Sequence, residues 1–233
     1  MRPSATLPLP KNSLRLAAFV LASSVLFAGQ FEDTLARMDA SARTFQSFSA
    51  KIRRVEYTAV LSDSSERTGS VRLKKVKSEI AGVMEFNEPS QSVVRFGGRT
   101  VQTYYPKANT VEVIDIGKKA DAVESFLLLG FGTPEAEMRK DWNVKLGGSE
   151  TIGGVKTTRL ELAPKGTETK NLIARIELWI PDGGANPLQE KVTRPSKDYT
   201  LITYSEIKVN APLPPSAFEL SLPQGVKKIY PQK

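Results

Sequence analysis

From residue 48 onward, apolar and polar side chains alternate with a period of two, and short runs of turn residues interrupt the alternation. Between residues 67 and 77, for example, Val71 and Leu73 fall on one side, and Arg72 and Lys74 on the other. Because successive side chains of a β-strand point to opposite faces, this pattern predicts half-buried antiparallel strands joined by tight turns. The predicted strands are the segments 48–60, 67–77, 79–87, 91–96, 99–105, 110–116, 142–151, 154–163, 171–181, 187–194 and 198–210, with a short last strand within 216–230.

A sheet of about ten or eleven strands cannot stay flat, because strands twist and large sheets curl. Two kinds of helical segment accompany it. Residues 31–47 carry apolar side chains at helical spacing, and residues 122–130 (AVESFLLLG) follow a plausible N-cap at Asp121. A second short helix is predicted at 134–140. The sequence therefore predicts an α+β fold in which one large, curved antiparallel sheet is covered by an N-terminal helix and a central helical lid.

The first 29 residues are predicted to be a signal peptide, followed by a single domain over residues 30–233. Arg2, Lys11 and Arg15 are the charges of this segment, and residues 16–28 form an apolar run that is short for a membrane span. We expect export to the periplasm with cleavage near Ala28. The alternative is an uncleaved N-terminal membrane anchor.

The inventory of residue types excludes several classes of function. The chain has no Cys and no His, which excludes disulfides, thiol nucleophiles, imidazole bases and Cys- or His-ligated metals. Asp115, Asp121 and Glu124 form only a loose acidic group, and a solvated surface explains them better than acid–base chemistry. We therefore expect no enzyme, no catalytic residue, no metal and no cofactor.

The charge does not indicate a nucleic-acid partner. The full chain has 33 Lys and Arg against 25 Asp and Glu, a net charge of +8. Three of those basic residues lie in the predicted signal peptide, and the others are spread along the strands rather than gathered in one patch. We expect no nucleic-acid binding, and a monomer.

The alternation gives the predicted sheet one apolar and one charged face. The charged face is expected to be wet; it carries Arg53, Arg72, Lys74, Arg159, Glu161, Arg175 and Glu177. The predicted helices are few for the apolar face of so many strands, so either the packing is tight or a hydrophobic cavity remains, and such a cavity suits acyl chains. The candidate cavity residues are Ile80, Met84, Phe86, Leu160, Leu162, Ile176, Leu178 and Ile180. Plain core is the alternative for each of them.

The segment 126–131 (FLLLGF) is very apolar, contains Gly130 and is followed by Gly132. An apolar segment bounded by glycines can form a movable lid, and it can equally be an ordinary buried helix. The candidate lid residues are Phe126, Leu127, Leu128 and Phe131.

Three stretches resemble the periplasmic outer-membrane lipoprotein carriers, the lipoprotein-sorting family. They are the helix-then-extended opening Phe31–Tyr57, which contains Phe45 and Phe48 in TFQSFSAKI, the segment 97–113 (GGRTVQTYYPKANTVEV), and the segment 205–229. The second resembles the family's Asp/Gly-Gly-Lys-Thr-Leu-Trp-x-Tyr-x-Pro hairpin, with Arg99 for Lys and Gln102 at the usual Trp. The third resembles the family's ending, which is matched here by Phe218, Pro223, Gly225 and Val226.

This resemblance implies an unclosed β-barrel covered by helices, with a cavity for the acyl chains of lipoproteins or of other lipids. It also implies an inner-membrane transporter and an outer-membrane acceptor as partners. One feature departs from the family, since the Arg-Pro pair that helps to hold its lid closed has no match near Lys74–Ser78. The alternative function is an envelope-stress sensor or another protein-interaction module on the same fold.

Overall fold

The computed structural model describes residues 29–77, 79–87, 89–117, 123 and 126–231. Residues 1–28 of the predicted signal peptide, and the predicted N-cap Asp121, lie outside the described residues. Over the part of the chain that is described, the structure has the predicted α+β architecture.

The described residues contain twelve strands that form one sheet. The strand order is β12-β6-β5-β4-β3-β2-β1-β11-β10-β9-β8-β7, so the sheet is curved but not closed. The strands are β1 (Ser47–Thr58), β2 (Asp63–Val76), β3 (Glu79–Phe86), β4 (Ser92–Gly97), β5 (Thr100–Tyr105), β6 (Thr110–Asp115), β7 (Trp142–Ile152), β8 (Val155–Pro164), β9 (Arg175–Pro181), β10 (Gln189–Thr193), β11 (Tyr199–Val209) and β12 (Lys227–Ile229).

Neighbouring strands are antiparallel except at one edge. β12 pairs with β6 in parallel, which makes the sheet mixed rather than purely antiparallel as predicted. β11 lies between β1 and β10, and therefore joins the first half of the chain to the second.

Among the described residues, three α-helices and a partly helical central segment accompany the sheet. α1 covers residues 29–43, α2 is Glu135–Asp141, and α3 is Thr167–Leu172. The central segment is described at residues 123 and 126–132. Residues 123, 126 and 127 are helical, and residues 128–132 form turns. Two predictions are wrong in detail. The first helix ends at residue 43 rather than 47, and the predicted strand 171–181 begins only at Arg175 because α3 precedes it.

Two apolar clusters fill the space between the sheet and the helices. The first joins Leu35 and Met38 of α1 to β7, β8 and β9, where Leu160 and Leu178 are completely buried. The second lies under β1, β2 and β3 and includes Phe48, Val71 and Phe131. The central segment contributes to both, since Leu129 belongs to the first cluster and Phe131 to the second.

A strap formed by the residues between β11 and β12 crosses the convex face of the sheet. Arg72 Nε donates to the carbonyl of Ala217 at 3.3 Å, Lys74 Nζ to Leu213 at 2.9 Å, and Arg95 Nε to Phe218 at 3.0 Å. Phe218 is buried there, in a 3₁₀ turn that packs on β3. The strap therefore covers Arg72 and Lys74, which were expected to face water.

On the convex face at β7–β9, ion pairs and an indole bury part of the charged surface. Arg159 Nη1 lies 2.9 Å from Glu150 Oε1 and 3.4 Å from Glu177 Oε1, and Trp179 Nε1 donates to Glu150 Oε2 at 2.9 Å. Glu177 is only 4% exposed. The expectation that the charged face is exposed to water is therefore wrong for Glu177. Its ion pair with Arg159 and the neighbouring indole of Trp179 shield it from water.

Candidate functional site

A cavity of about 300 Å³ lies between the concave face of the sheet and the central segment. Its walls come from both halves of the sheet, because β11 brings the second half next to β1. The lining residues are Phe48, Arg54, Val71, Leu73, Met84, Val94, Phe96, Val123, Phe126, Leu127, Phe131, Glu190, Val192, Arg194, Thr200, Ile202 and Tyr204.

One end of the cavity is apolar. Val71, Met84 and Val94 lie directly opposite one another on β2, β3 and β4. In the next row, Leu73 and Phe96 flank Gly82, where a Cβ atom would meet Leu73 Cδ2 at 2.8 Å and Phe96 Cδ2 at 3.2 Å. The missing side chain at Gly82 therefore lets the two neighbouring apolar side chains meet over the sheet.

The central segment forms the roof. The ring of Phe131 lies 4.2 Å from that of Phe48 and 5.2 Å from that of Tyr204, measured between centroids. Gly130 has φ of +85° and packs against Pro187 and Leu178, so a larger residue would meet both strain and contact there. The contacts of Gly130 and Phe131 therefore hold the roof against the sheet.

The other end of the cavity is polar. Arg54 on β1 lies opposite Arg67 on β2 and opposite Ile202 on β11. Its Nη2 atom lies 2.6 Å from Glu56 Oε1, and Arg67 Nη2 lies 3.8 Å from Glu56 Oε2. Thr200 lies opposite Glu56 and is buried. Guanidinium groups, one carboxylate and a hydroxyl are therefore close together where the apolar wall ends.

A buried carboxyl group lies in the wall on β10, in the same cross-strand row as Arg54. Glu190 is 6% exposed, and the hydroxyl of Tyr204 donates to its Oε2 atom at 3.2 Å. Burial raises the pKa of Glu190 to about 7, although the hydrogen bond from Tyr204 acts in the opposite direction. Burial also raises the pKa of Tyr204, so the phenol stays protonated and donates.

The structure divides the predicted cavity residues among four environments. Met84 lines the cavity, and Phe86 lies in the second apolar cluster beneath Arg67, whose Cζ atom is 4.0 Å from the ring centroid. Ile80 lines a different cavity. The remaining candidates are completely buried in the first apolar cluster and do not line the cavity; they are Leu160, Leu162, Ile176, Leu178 and Ile180.

The predicted lid residues also separate. Phe126, Leu127 and Phe131 line the cavity, whereas Leu128 lines a second cavity of about 500 Å³ between α1, α2 and β7. Charged side chains, among them Arg43, Lys75, Glu137 and Asp141, are part of the walls of this second cavity. The smaller cavity has the more apolar lining and therefore suits an apolar ligand better.

Sequence reasoning missed the polar lining residues Arg54, Glu190, Arg194 and Thr200. A signal for one of them existed, because Arg54 is two residues from Ile52 and therefore shares its face of the strand. A charged residue at a strand position that points inward, two residues from a buried apolar one, is the pattern that could have indicated Arg54 as a lining residue.

The described residues offer no metal site, since no group of three or more His, Cys, Asp and Glu residues lies close enough together. In the same residues, no helix is long and apolar enough to cross a membrane.

No family model and no curated protein matches this sequence. Solved structures with a similar fold include an uncharacterized conserved protein from Thermus thermophilus, with a TM-score of 0.52 and 13% identity over 85% of this chain and 98% of that one. At this identity the likeness shows the fold alone.

Two further solved structures are also similar to this chain. One is an outer membrane lipoprotein-sorting protein domain from Vibrio parahaemolyticus, with a TM-score of 0.43 and 13% identity over 80% of this chain and 96% of that one. The other is the MucA/MucB complex of Pseudomonas aeruginosa, with a TM-score of 0.46 and 14% identity over 81% of this chain and 60% of that one. A protein described as lipoprotein-sorting is thus among the structures with a similar fold.

Proposed function

We propose that this protein is a periplasmic carrier that binds a lipid acyl chain in the cavity between β1–β4, β10, β11 and the central segment. The observation that carries the proposal is the continuous apolar wall of Val71, Leu73, Met84, Val94 and Phe96 under an aromatic roof. The cargo would be the acyl chains of a lipoprotein or of another lipid, carried from the inner to the outer membrane.

The size of the cavity supports this ligand class. Small-molecule sites usually have volumes of about 300–1,000 Å³, and this cavity lies at the lower limit of that range. Each methylene group that leaves water contributes about 0.8 kcal/mol, so even a partly buried chain gains enough for micromolar affinity. Transfer along a series of carriers then needs only a rising affinity from donor to acceptor.

A non-catalytic role is part of the proposal. The chain has no His and no Cys, and the buried Glu190 has a phenol as its partner rather than a second carboxyl or a nucleophile. Export is inferred from the apolar run 16–28 behind three basic residues. The partners would be an inner-membrane transporter and an outer-membrane acceptor.

Native mass spectrometry of the protein purified from the cell envelope tests the proposal. We expect a mass shift that corresponds to about one lipid or lipoprotein per protein, and organic extraction should release a molecule with acyl chains. A protein that carries no lipid, fails to bind a fluorescent fatty acid and instead recovers one protein partner would contradict the carrier function. That result would support the protein-interaction module.

A further inference from the structure

We propose that the cavity takes an amphiphile with an anionic head group, carboxylate or phosphate, and that Arg54, Arg194 and Thr200 bind this head group. The inference rests on the proposed function and adds the chemical class of the ligand. It starts from hydrogen-bonding groups at the polar end of the cavity that have no partner among the described residues.

Arg54 lines the cavity and has an unused hydrogen-bond donor. One side of its guanidinium group is paired with Glu56, but the Nε atom is buried and has no hydrogen-bond partner in the described part of the chain. A buried N–H group without a partner costs free energy, and a charged one costs more. An anion at this position would supply the missing acceptor.

Thr200 adds a second unused group. Its side chain is 7% exposed, and within the described ranges its Oγ1 atom has no hydrogen-bond partner. It lies on β11 directly opposite Glu56, next to the Arg54–Glu56 ion pair, and it lines the same cavity as Arg54 and Arg194. A hydroxyl group here can donate to an anion that Arg54 also contacts.

The charges at this end leave a positive excess. The guanidinium groups of Arg54, Arg67 and Arg194 face the carboxylates of Glu56 and Asp198. Burial lowers the pKa of Arg54; Glu56 opposes this shift, and the neighbouring Arg67 and Arg194 add to it. A bound anion would offset the repulsion among the guanidinium groups, whereas a neutral head group would not.

The buried acid of the cavity does not occupy this position. Glu190 and Arg54 both lie opposite Ile202, on either side of it, so their strands are about 10 Å apart. The carboxyl group of Glu190 is bonded to Tyr204, which lies farther toward the apolar end.

The geometry also sets the direction of the chain. From Arg54 to Phe48 along β1 is six residues, or about 20 Å at 3.3 Å per residue. A head group at Arg54 therefore places an acyl chain along Val71, Met84 and Val94, with its end toward Phe96.

The test compares three probes with the same twelve-carbon chain: dodecanoic acid, 1-dodecanol and dodecyl phosphate. Each would displace a neutral fluorescent dye from the purified protein. We expect at least one of the two anions to bind about 10-fold or more tightly than the alcohol, and their ratio to show which head group fits better. We expect Arg54→Gln to abolish this preference while the alcohol binds as before.

Arg53→Gln is the matched control. Arg53 is the next residue on the same strand, but it points to the convex face and pairs with Glu66 at 2.6 Å. We expect it to keep the preference for the anion. If Arg54→Gln does not fold, Thr200→Val gives a second measurement, and we expect it to weaken only the binding of the anions.

The outcomes separate the two proposals. Equal binding of all three probes, unchanged in the Arg54 and Thr200 variants, would overturn the head-group assignment and leave the acyl-chain cavity intact. Binding of none of them would overturn both.

Discussion

Met84→Asp is expected to lower the affinity for a fatty acid by about 50-fold, because an ionised carboxylate in the apolar wall keeps its water. If this water displaces about three methylene groups from the cavity, about 2.4 kcal/mol of binding free energy is lost. Met84 lies between Val71 and Val94 in the middle of the apolar wall, so an acyl chain in the cavity cannot avoid it. Titration with a fluorescent fatty acid measures the change.

Val155→Asp controls for the chemistry of this substitution. Val155 is 43% exposed, at the start of β8, and does not line the cavity. The Val155→Asp variant should bind the fatty acid with the affinity of the parent protein. Val94→Trp, which fills the cavity without adding charge, covers the case that Met84→Asp does not fold. If the folded Met84→Asp or Val94→Trp protein bound with parental affinity, the chain would have to lie elsewhere.

Glu190→Gln is expected to raise the free energy of unfolding at pH 8 by about 3 kcal/mol and to leave it nearly unchanged at pH 4.5. The pKa of Glu190 is raised by burial to about 7, against an ordinary value of 4.5. The native state therefore binds a proton that the unfolded state releases between these values. Stability falls as the pH rises through this window, by about 1.4 kcal/mol per unit of pKa shift.

Glutamine keeps an acceptor for the Tyr204 hydroxyl but cannot ionise, so this loss should disappear in the variant. Urea unfolding of both proteins across pH 4.5–8 measures this loss of stability. The difference between their free energies of unfolding removes the contribution of all other titrating groups. Glu219→Gln, at an exposed position, is the control and should give a flat difference. A flat difference for Glu190→Gln as well would mean that this carboxyl is ionised in the native state.

The strands could be predicted closely from the sequence because a period of two directly reports which side chains share a face. β3, predicted at 79–87, is Glu79–Phe86, and β11, predicted at 198–210, is Tyr199–Val209. The predicted end of α1 was wrong, because Phe45 continues the helical spacing although the strand begins at Ser47.

The cavity itself could not be located in this way. Alternation shows that Met84 and Leu178 both point inward, but not that the helices close over Leu178 and leave space beside Met84. That difference depends on contacts between distant residues. β11 inserts beside β1 and brings Thr200 next to Glu56, and the strap carries β12 to the edge at β6.

The most direct test of the acyl-chain cavity is photo-crosslinking with a fatty acid that carries a diazirine in its chain, followed by peptide mapping. The account predicts that crosslinks form on β2–β4 around Val71, Met84 and Val94 and on the roof around Phe126–Phe131, and that excess unlabelled fatty acid removes them. Crosslinks confined to the convex face or to the second cavity near Met138 and Trp142 would contradict it.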